Sequence, residues 1–158
     1  MTEYKQIEGD DSAGNARIGI VASKFNSFVV DRLLDGCLAV LDNAGFNEKS
    51  IMIVRVPGAF DIPVAAQRLI STAKCDAVIA LGAVIRGETP HFEYIANECA
   101  HGLEKISLKH DTPVIFGVLT TENTEQAMER AGTEESNKGA ESAKAAIEMI
   151  SVLRKLNP

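Results

Sequence analysis

The stretch formed by residues 77–95 constrains the fold more than any other part of the chain. It opens with a short apolar run rich in β-branched residues, which is typical of a buried strand in a parallel sheet. We predict that Gly82 interrupts this run, that residues 83–85 extend it, and that a polar turn at residues 86–90 ends it. Apolar residues then recur at helical spacing from Phe92 onward. Ligands of open α/β sheets bind at such a junction of strand end and helix start.

Three further apolar runs alternate with amphipathic segments along the chain. We predict strands at residues 17–22, 51–56, 77–85 and 113–119. Helical periodicity predicts helices near residues 29–41, 64–70, 92–106, 123–130 and 143–153. This alternation predicts an α/β protein, a three-layer flavodoxin-like sandwich with a four-stranded parallel sheet in the order 2-1-3-4. We expect residues 1–158 to form one domain, in which residues 1–15 are a polar arm, weakly ordered alone, that could lie across a neighbouring subunit.

Residues with special backbone preferences mark the ends of several helices. Gly45 suits the position just after the first helix, and Pro63 suits the first turn of the second. Asn123 followed by Gln126 resembles a capping box, and Gly132 is expected to close the short helix that this box opens.

Charge and composition exclude several classes of protein. The net charge is −6 and Lys and Arg form no basic run, so we expect no nucleic-acid partner. No run reaches the roughly 18 apolar residues of a membrane span, and the first residues lack the apolar core of a signal peptide. The three cysteines, Cys37, Cys75 and Cys99, show no CxxC spacing, which favours buried thiols in a reducing compartment. We therefore expect a cytosolic protein with no membrane partner.

The exits of the four strands meet at one edge of the predicted sheet, and several reactive side chains follow them. Phe25, after the first strand, either covers the edge of the core or stacks on a planar ring. Asp61, after the second strand, is either a helix-capping acid, the commoner role, or an acceptor for ligand hydroxyls. His91 follows the third strand beside Glu88 and Thr89, where an imidazole suits proton transfer.

Two cations and a set of missing motifs complete the survey of candidate chemistry. Arg130 and Lys138 flank Gly132; they either complement a helix dipole in solvent, which the residues alone favour, or clamp a phosphate. The sequence contains no HExxH, Walker A loop, GxGxxG or nucleophile elbow. It therefore gives no support for a metal or nucleotide cofactor.

Together these segments resemble the lumazine synthase (6,7-dimethyl-8-ribityllumazine synthase) family of riboflavin biosynthesis. The resemblance covers residues 16–156 and is carried by residues 21–26 (VASKFN), 54–63 (VRVPGAFDIP), 82–92 (GAVIRGETPHF), 116–120 (FGVLT), 125–132 (EQAMERAG) and 137–139 (NKG). Each motif is weak alone, but together, in order and at family spacing, they are specific.

The resemblance implies an enzyme, a transferase that needs no metal or redox cofactor. In the implied reaction, 5-amino-6-(D-ribitylamino)uracil condenses with 3,4-dihydroxy-2-butanone 4-phosphate. The ring amine attacks the ketone to give an imine, phosphate is eliminated, and the ribityl-bearing nitrogen closes the second ring. Water and phosphate leave, which completes the penultimate step of riboflavin biosynthesis.

The resemblance also implies a role for each matching residue. Residues expected to bind the pyrimidine substrate are Phe25, Ala59, Phe60, Asp61, Ala83, Val84, Ile85 and, from the adjacent subunit, Phe116. Residues expected to bind phosphate are Glu88, Thr89, Arg130 and Lys138, and His91 would carry protons. Position 61 departs from the family, which usually has Glu there, so we expect Asp61 to reach the ribityl hydroxyls less well or through water.

The sharing of active sites in the family implies a homo-oligomer built on pentamers. The short stretch 132–138 is similar to members whose pentamers assemble into sixty-subunit shells, and riboflavin synthase is a candidate partner of such a shell. Two other interpretations stay open: a flavin-binding electron carrier, and a non-catalytic flavin-binding or shell-forming relative. Residues 23–26 lack the Ser, Thr and Gly density of a flavin phosphate loop, which argues against the electron carrier. The joint presence of Phe25, His91 and Arg130 argues against the non-catalytic relative.

Overall fold

The computed structural model describes residues 2–157. Within them the chain order is β1 (Ile18–Ser23), α1 (Ser27–Asn43), β2 (Ile51–Val56), α2 (Ile62–Ala73), β3 (Ala77–Ile85), α3 (His91–His110), β4 (Val114–Thr121), α4 (Thr124–Glu129) and α5 (Lys138–Leu156). Two short 3-10 turns, Ala59–Asp61 and Glu134–Ser136, precede α2 and α5.

The sheet has the predicted topology. Its four strands are parallel and lie in the order β2-β1-β3-β4, so β2 and β4 are the edge strands. Helices α1 and α5 cover one face, and α2 and α3 cover the other. The predicted α/β fold, a flavodoxin-like three-layer sandwich, is thereby confirmed.

The central strand β3 shows how the two faces are held. Ile79 and Leu81 belong to the core formed with α1 and α5, whereas Val78 and Ala80 belong to the core formed with α2 and α3. All four side chains are fully shielded from solvent. Burying a Val, Leu or Ile side chain contributes roughly 1.5–3 kcal/mol to stability. The strand is anchored from both sides, so its carboxyl end is a rigid base for the turn that follows.

The predicted strand at residues 77–85 is confirmed, but the expected interruption at Gly82 is not seen. β3 continues through it to Ile85, and Gly82 pairs with Val118 of β4. A Cβ atom at this position would lie 3.0 Å from the Oγ atom of Ser23 in the neighbouring strand. The glycine therefore permits a close side-chain approach rather than a break.

The predicted end of the first helix is confirmed. Gly45 follows α1 with a φ of 94°, in the left-handed region that suits glycine. Its amide donates to the Asp42 carbonyl, and the amide of Phe46 donates to the Leu41 carbonyl, both at 3.0 Å. This pair of bonds is a Schellman motif, which satisfies carbonyls that the helix end would otherwise leave free.

The other predicted caps are confirmed in part. Pro63 is the second residue of α2. The side chain of Asn123 accepts a hydrogen bond from the Gln126 amide at 2.9 Å, as an N-cap should. The Gln126 side chain does not return to Asn123, because its Oε1 atom accepts from the Glu122 amide at 2.8 Å. Gly132 lies beyond α4, whose last residue is Glu129.

The N-terminal arm docks partly on its own chain. The amide of Asp10 donates to the Ser151 hydroxyl of α5 at 2.7 Å, and Lys155 Nζ lies 2.7 Å from the Asp10 carboxylate. The hydrogen bonds from Lys155 and Ser12 hold the pKa of Asp10 well below its usual range. Lys155 also donates to the Glu8 carbonyl at 2.8 Å. The middle of the arm is thus tied to α5, where we had expected weak order.

The three cysteines are free and buried, as predicted. Burial raises the pKa of the Cys37 thiol to about 12 and that of the Cys99 thiol to about 11. Among residues 2–157, no helix combines the length and the apolar character needed to cross a membrane.

Candidate active site

A cavity of about 480 Å³ opens at the carboxyl ends of β1, β2 and β3. Its walls are Phe25, Asn26, Pro57, Gly58, Ala59, Phe60, Asp61, Ala83, Val84, Ile85, Gly87, Thr89, His91, Phe92 and Ile95. The chain leaves β1 toward β2 on one side and later returns to β3 on the other, so the cavity lies at the switch point of the sheet. Ligands of open α/β sheets bind at such points. We call this space the first cavity.

The exit of β1 supplies an aromatic plate and a polar clamp. The side chain of Phe25 is 72% exposed, so it lines the cavity and does not cover the edge of the core. Its amide donates to the Pro57 carbonyl at 3.0 Å, which fixes the loop against the exit of β2. Asn26 has a φ of 60°, and its Nδ2 atom donates to the Ala83 carbonyl at 2.8 Å. The loop after β1 is therefore held to both neighbouring strands.

The exit of β2 supplies a second aromatic and a carboxylate. Phe60 is 58% exposed and lines the first cavity with Ala59 and Asp61. The Oδ2 atom of Asp61 accepts from the Gly58 amide at 3.0 Å, and the Asp61 amide donates back to the Gly58 carbonyl at 3.0 Å. Asp61 occupies the N-cap position of α2, but its side chain caps no amide of that helix; it closes the preceding 3-10 turn instead, and Asp61 also lines the cavity.

The exit of β3 supplies a wall of strand backbone followed by the turn. Ala83 and Val84 are buried, so a ligand meets mainly their peptide groups. Thr89 and His91 are exposed and line the cavity. Glu88 is exposed but is not among the lining residues, so its side chain does not join the others in this chain.

Two helix N-termini lie at the rim of the first cavity. α1 begins after Asn26 and α3 begins after Pro90, and neither helix has a side-chain hydrogen bond at its cap. Free amide groups at a helix start carry partial positive charge and attract anions. The rim is therefore suited to an anionic group, although no Lys or Arg is among the described residues that line the cavity.

The cations occupy a second cavity, also of about 480 Å³, beside the edge strand β4. It is lined by Phe116, Val118, Leu119, Thr120, Glu129, Arg130, Ser136, Lys138 and Glu141, none of which lines the first cavity. Phe116 is 38% exposed on β4. The structure thus brings Phe116, Arg130 and Lys138 together, but apart from His91 within one chain.

A buried asparagine builds the frame of the second cavity. Asn137 caps α5 by accepting from the Ala140 amide at 3.0 Å, and its Nδ2 atom donates to the carbonyls of Arg32 and Gly132 at 3.1 Å each. The amide of the next residue, Lys138, donates to the Arg130 carbonyl at 2.8 Å. The two cationic residues are therefore tied together through their backbones.

The side chains of these two cations are held less firmly. Arg130 Nη1 donates to the Gln126 carbonyl at 3.0 Å, and Lys138 Nζ lies 3.4 Å from the Glu141 carboxylate. The Lys138–Glu141 pair is largely exposed, and such pairs contribute little to stability. Both cations can therefore turn toward an incoming anion at low cost.

Four residues with a place in this geometry were not predicted as site residues. Phe92 and Ile95 form part of the wall of the first cavity, because the first turns of α3 face it. Asn26 clamps a strand carbonyl, and Arg86 contacts the turn that carries His91. Asn tolerates the left-handed backbone that Asn26 adopts after β1, and this preference is the one signal in the sequence for the role of Asn26.

The fold and the first cavity define a class of protein, an α/β sandwich with a ligand site at the switch point of its parallel sheet. The sequence profile of the 6,7-dimethyl-8-ribityllumazine synthase family matches residues 15–154 of the 158. The chain therefore belongs to the 6,7-dimethyl-8-ribityllumazine synthase family, in agreement with the resemblance of its motifs. The match includes both cavities.

Proposed function

We propose that this protein condenses 5-amino-6-(D-ribitylamino)uracil with 3,4-dihydroxy-2-butanone 4-phosphate, as a lumazine synthase of riboflavin biosynthesis. Family membership supports a transferase of that pathway in general. The observation that carries the specific reaction is the first cavity. There an exposed aromatic face, strand-end peptide groups, a carboxylate and an imidazole surround one space of about 480 Å³.

In this proposal the first cavity binds the pyrimidine. Its ring stacks on Phe25, and its polar edge meets peptide groups of Ala83, Val84 and Ile85. The ribityl chain runs along the 3-10 turn formed by Ala59, Phe60 and Asp61. Because Oδ2 of Asp61 holds the Gly58 amide, Oδ1 is the atom that accepts from the ribityl hydroxyls.

The imidazole of His91 moves the protons that the condensation requires. Formation of the imine removes two protons from the attacking amine and delivers two to the carbonyl oxygen, which leaves as water. Elimination of phosphate and ring closure require further transfers. An imidazole at the rim can accept a proton in one step and donate it in the next, so one side chain can serve each transfer. Fixing two substrates beside it supplies much of the remaining rate enhancement.

Phosphate binding is proposed to need both cavities, and therefore two chains. The rim of the first cavity offers the start of α3, Thr89 and the backbone of Glu88, but no Lys or Arg among the described residues lines that cavity. Arg130 and Lys138 lie at the second cavity with Phe116, along an edge strand that a neighbour can cover. A phosphate is recognised best by a planar guanidinium and an ammonium together.

We therefore propose a homo-oligomer in which the second cavity of one subunit completes the first cavity of the next. Cyclic head-to-tail contacts of this kind close into rings, and a pentamer is the ring expected for the family. Assembly of pentamers into a sixty-subunit shell, association with riboflavin synthase and a cytosolic location are further parts of this proposal.

The reaction is tested by mixing the purified protein with both substrates without added metal and following lumazine absorbance. Acceleration above the uncatalysed rate is expected. His91→Ala should lower kcat by about 10²-fold or more, the usual contribution of a positioned acid or base. His101→Ala is the matched control, because His101 is exposed on the same helix and does not line the cavity.

Sedimentation of the same samples tests the assembly and keeps the two questions separate. A folded oligomer that does not accelerate the reaction would favour a non-catalytic flavin-binding or shell-forming relative. Equal loss of turnover in both histidine variants would instead remove His91 from proton transfer while leaving the enzyme assignment intact.

A further inference from the structure

We propose that Arg86 is a positioning residue that fixes the His91 turn and the Phe92 wall of the first cavity. This inference rests on the function proposed above, in which His91 carries protons. Arg86 follows the last residue of β3, and His91 begins α3. The four residues between them, 87–90, lie at the surface, so the geometry of the turn depends on what holds its two ends.

The guanidinium of Arg86 contacts the start of α3 in two ways. Its Cζ atom lies 4.6 Å from the centre of the Phe92 ring, which is a cation–π contact. Its Nη1 atom lies 3.6 Å from the Glu93 carboxylate. Both partners directly follow His91 in the first turn of the helix, so Arg86 determines where that turn sits relative to the end of β3.

The other side of Arg86 is attached to the exit of β4. Its Nε atom donates to Oε2 of Glu122 at 2.8 Å, and its amide donates to the Thr121 carbonyl at 2.9 Å. Glu122 is itself held, because its amide donates to the side chain of Gln126 at 2.8 Å. A single side chain therefore joins the end of β3, the start of α3 and the loop after β4.

These contacts explain why an arginine suits this position. A planar guanidinium can stack on a ring while its edge donates to carboxylates, whereas an ammonium offers a point charge without a stacking face. Arg86 is about one-third exposed, so each ion pair alone is worth little in stability. Its contribution is geometric. An error of about 1 Å in the place of a reacting group can cost roughly 10²-fold in rate.

The test compares Arg86→Met, Arg86→Lys and Glu122→Gln with a control, Arg55→Met. Arg55 pairs with Asp31 at 2.9 Å and is exposed to a similar degree, but neither residue lines the first or the second cavity. Each full-length variant is measured for kcat, for the KM of both substrates and for amide hydrogen exchange. Peptides that cover residues 87–99 report on the turn and the first turns of α3.

Arg86→Met is expected to lower kcat by about tenfold to 10²-fold with a change in pyrimidine KM below about threefold, because binding groups stay while His91 shifts. Amide exchange should become faster in residues 87–99 and stay unchanged in the four strands of the sheet. The kcat and the local exchange rate of Arg86→Lys should lie between those of Arg86→Met and the unmodified protein. Glu122→Gln should show a smaller loss of kcat and a smaller increase in local exchange. Arg55→Met should change neither quantity.

The outcomes distinguish this inference from the proposed function. If Arg86→Met and Glu122→Gln both leave kcat and local exchange unchanged, the positioning role is wrong while the function stands. If Arg86→Met unfolds the whole chain, Glu122→Gln decides, and uniform exchange in that variant overturns the role. If the unmodified protein does not form lumazine, the function fails, and local exchange alone decides whether Arg86 positions the turn.

Discussion

The first and second cavities of this protein have the same volume but differ in how the chain builds them. The first cavity lies over three strand exits and is closed by backbone hydrogen bonds between neighbouring loops. The second lies along the edge strand β4 and is lined by that strand and by the segment formed by residues 129–141. The first holds Phe25, Asp61 and His91, and the second holds Arg130 and Lys138. Neither contains all the groups that the proposed reaction uses.

This contrast shows what a parallel sheet can do within one chain. The switch point brings several strand exits together, so a small sheet can make one well-defined cavity there. An edge strand leaves polar and apolar groups unpaired and invites another chain to cover them. If the proposed phosphate clamp lies at this edge, the proposed activity depends on assembly.

Mixing two inactive variants gives the largest expected effect and tests the contrast directly. His91→Ala and Arg130→Ala should each lower kcat/KM by about 10²-fold or more. If the two cavities act across a subunit contact, oligomers reassembled from equal amounts of both variants should regain about one quarter of the activity, since a random ring restores that share of sites. Lumazine absorbance measures the recovery.

The matched control for that experiment is a double variant that carries both substitutions in one chain, mixed with unmodified protein. Random mixing then also leaves about one quarter of the sites intact, so the two mixtures should agree. Absence of recovery in the first mixture, with normal assembly, would mean that both cavities serve one active site within a single chain.

Much of the fold was predictable because it follows from local patterns. β-branched runs and helical periodicity predicted the strands and helices, and their alternation predicted a parallel sheet covered on both faces. Gly82 was misinterpreted because a glycine inside an apolar run looks like a break, and the nearby Ser23 hydroxyl that requires it comes from another strand. The docking of Asp10 on α5 was missed for a similar reason, since its partners are about 140 residues away.

The buried frame of the second cavity predicts the largest loss of stability. Asn137→Ala removes the cap of α5 and leaves the carbonyls of Arg32 and Gly132 without their donor. Such a loss at a buried site costs about 2–3 kcal/mol. Asn123→Ala is the matched control, because it also caps a helix but is exposed, and about 1 kcal/mol is expected.

Urea denaturation at one fixed protein concentration measures both variants. Asn137→Ala should also raise the KM of the phosphate substrate more than that of the pyrimidine, because Lys138 follows it directly. Equal losses in the two variants would show that the frame of the second cavity is no more than an ordinary helix cap.

The residue types of the site were predictable, but their arrangement was not. Phe25, Asp61 and His91 follow strand exits, which is why the sequence pointed to them. Arg130 and Lys138 looked like solvated cations, and their separation from His91 depends on the place of α4 and α5 beside β4, which spacing along the chain does not give. Arg86 and Asn26 act through contacts with distant segments, and the one local signal for either is that Asn tolerates a left-handed backbone after a strand.

An intermediate effect is expected for the aromatic plate, which belongs to the first cavity alone. Phe25→Ala should weaken binding of the pyrimidine substrate by about tenfold, or roughly 1.4 kcal/mol, through lost stacking. The KM of the phosphate substrate should change little. Phe28→Ala is the control, because Phe28 is half exposed in α1 and does not line the cavity. Calorimetric titration with the pyrimidine measures both, and similar losses would contradict a stacking role.

The smallest effect is expected at the docked arm, which steadies the helix that begins at the second cavity. The pKa of Asp10 is held below its ordinary value of 3.8 by bonds from Lys155 and Ser12, so the folded state favours the ionised carboxylate. A carboxyl group whose pKa is lower in the folded state stabilises the fold fully at a pH above its pKa in the unfolded state. This stabilisation is lost as the pH falls through the pKa of the folded state. Asp10→Asn should therefore lower the midpoint of thermal unfolding slightly at pH 7, and the difference from the unmodified protein should shrink toward zero as the pH falls below 3.8.

Thermal unfolding of Asp10→Asn across this pH range separates the charge of the carboxylate from its shape. Glu3→Gln, at an exposed arm residue, is the control for a change of charge. An amide has nearly the shape of the carboxylate but cannot pair with the Lys155 ammonium as an ion. A difference that persisted at the lowest pH would mean that the substitution disturbs the arm by its shape, and that the Asp10 charge does not hold α5.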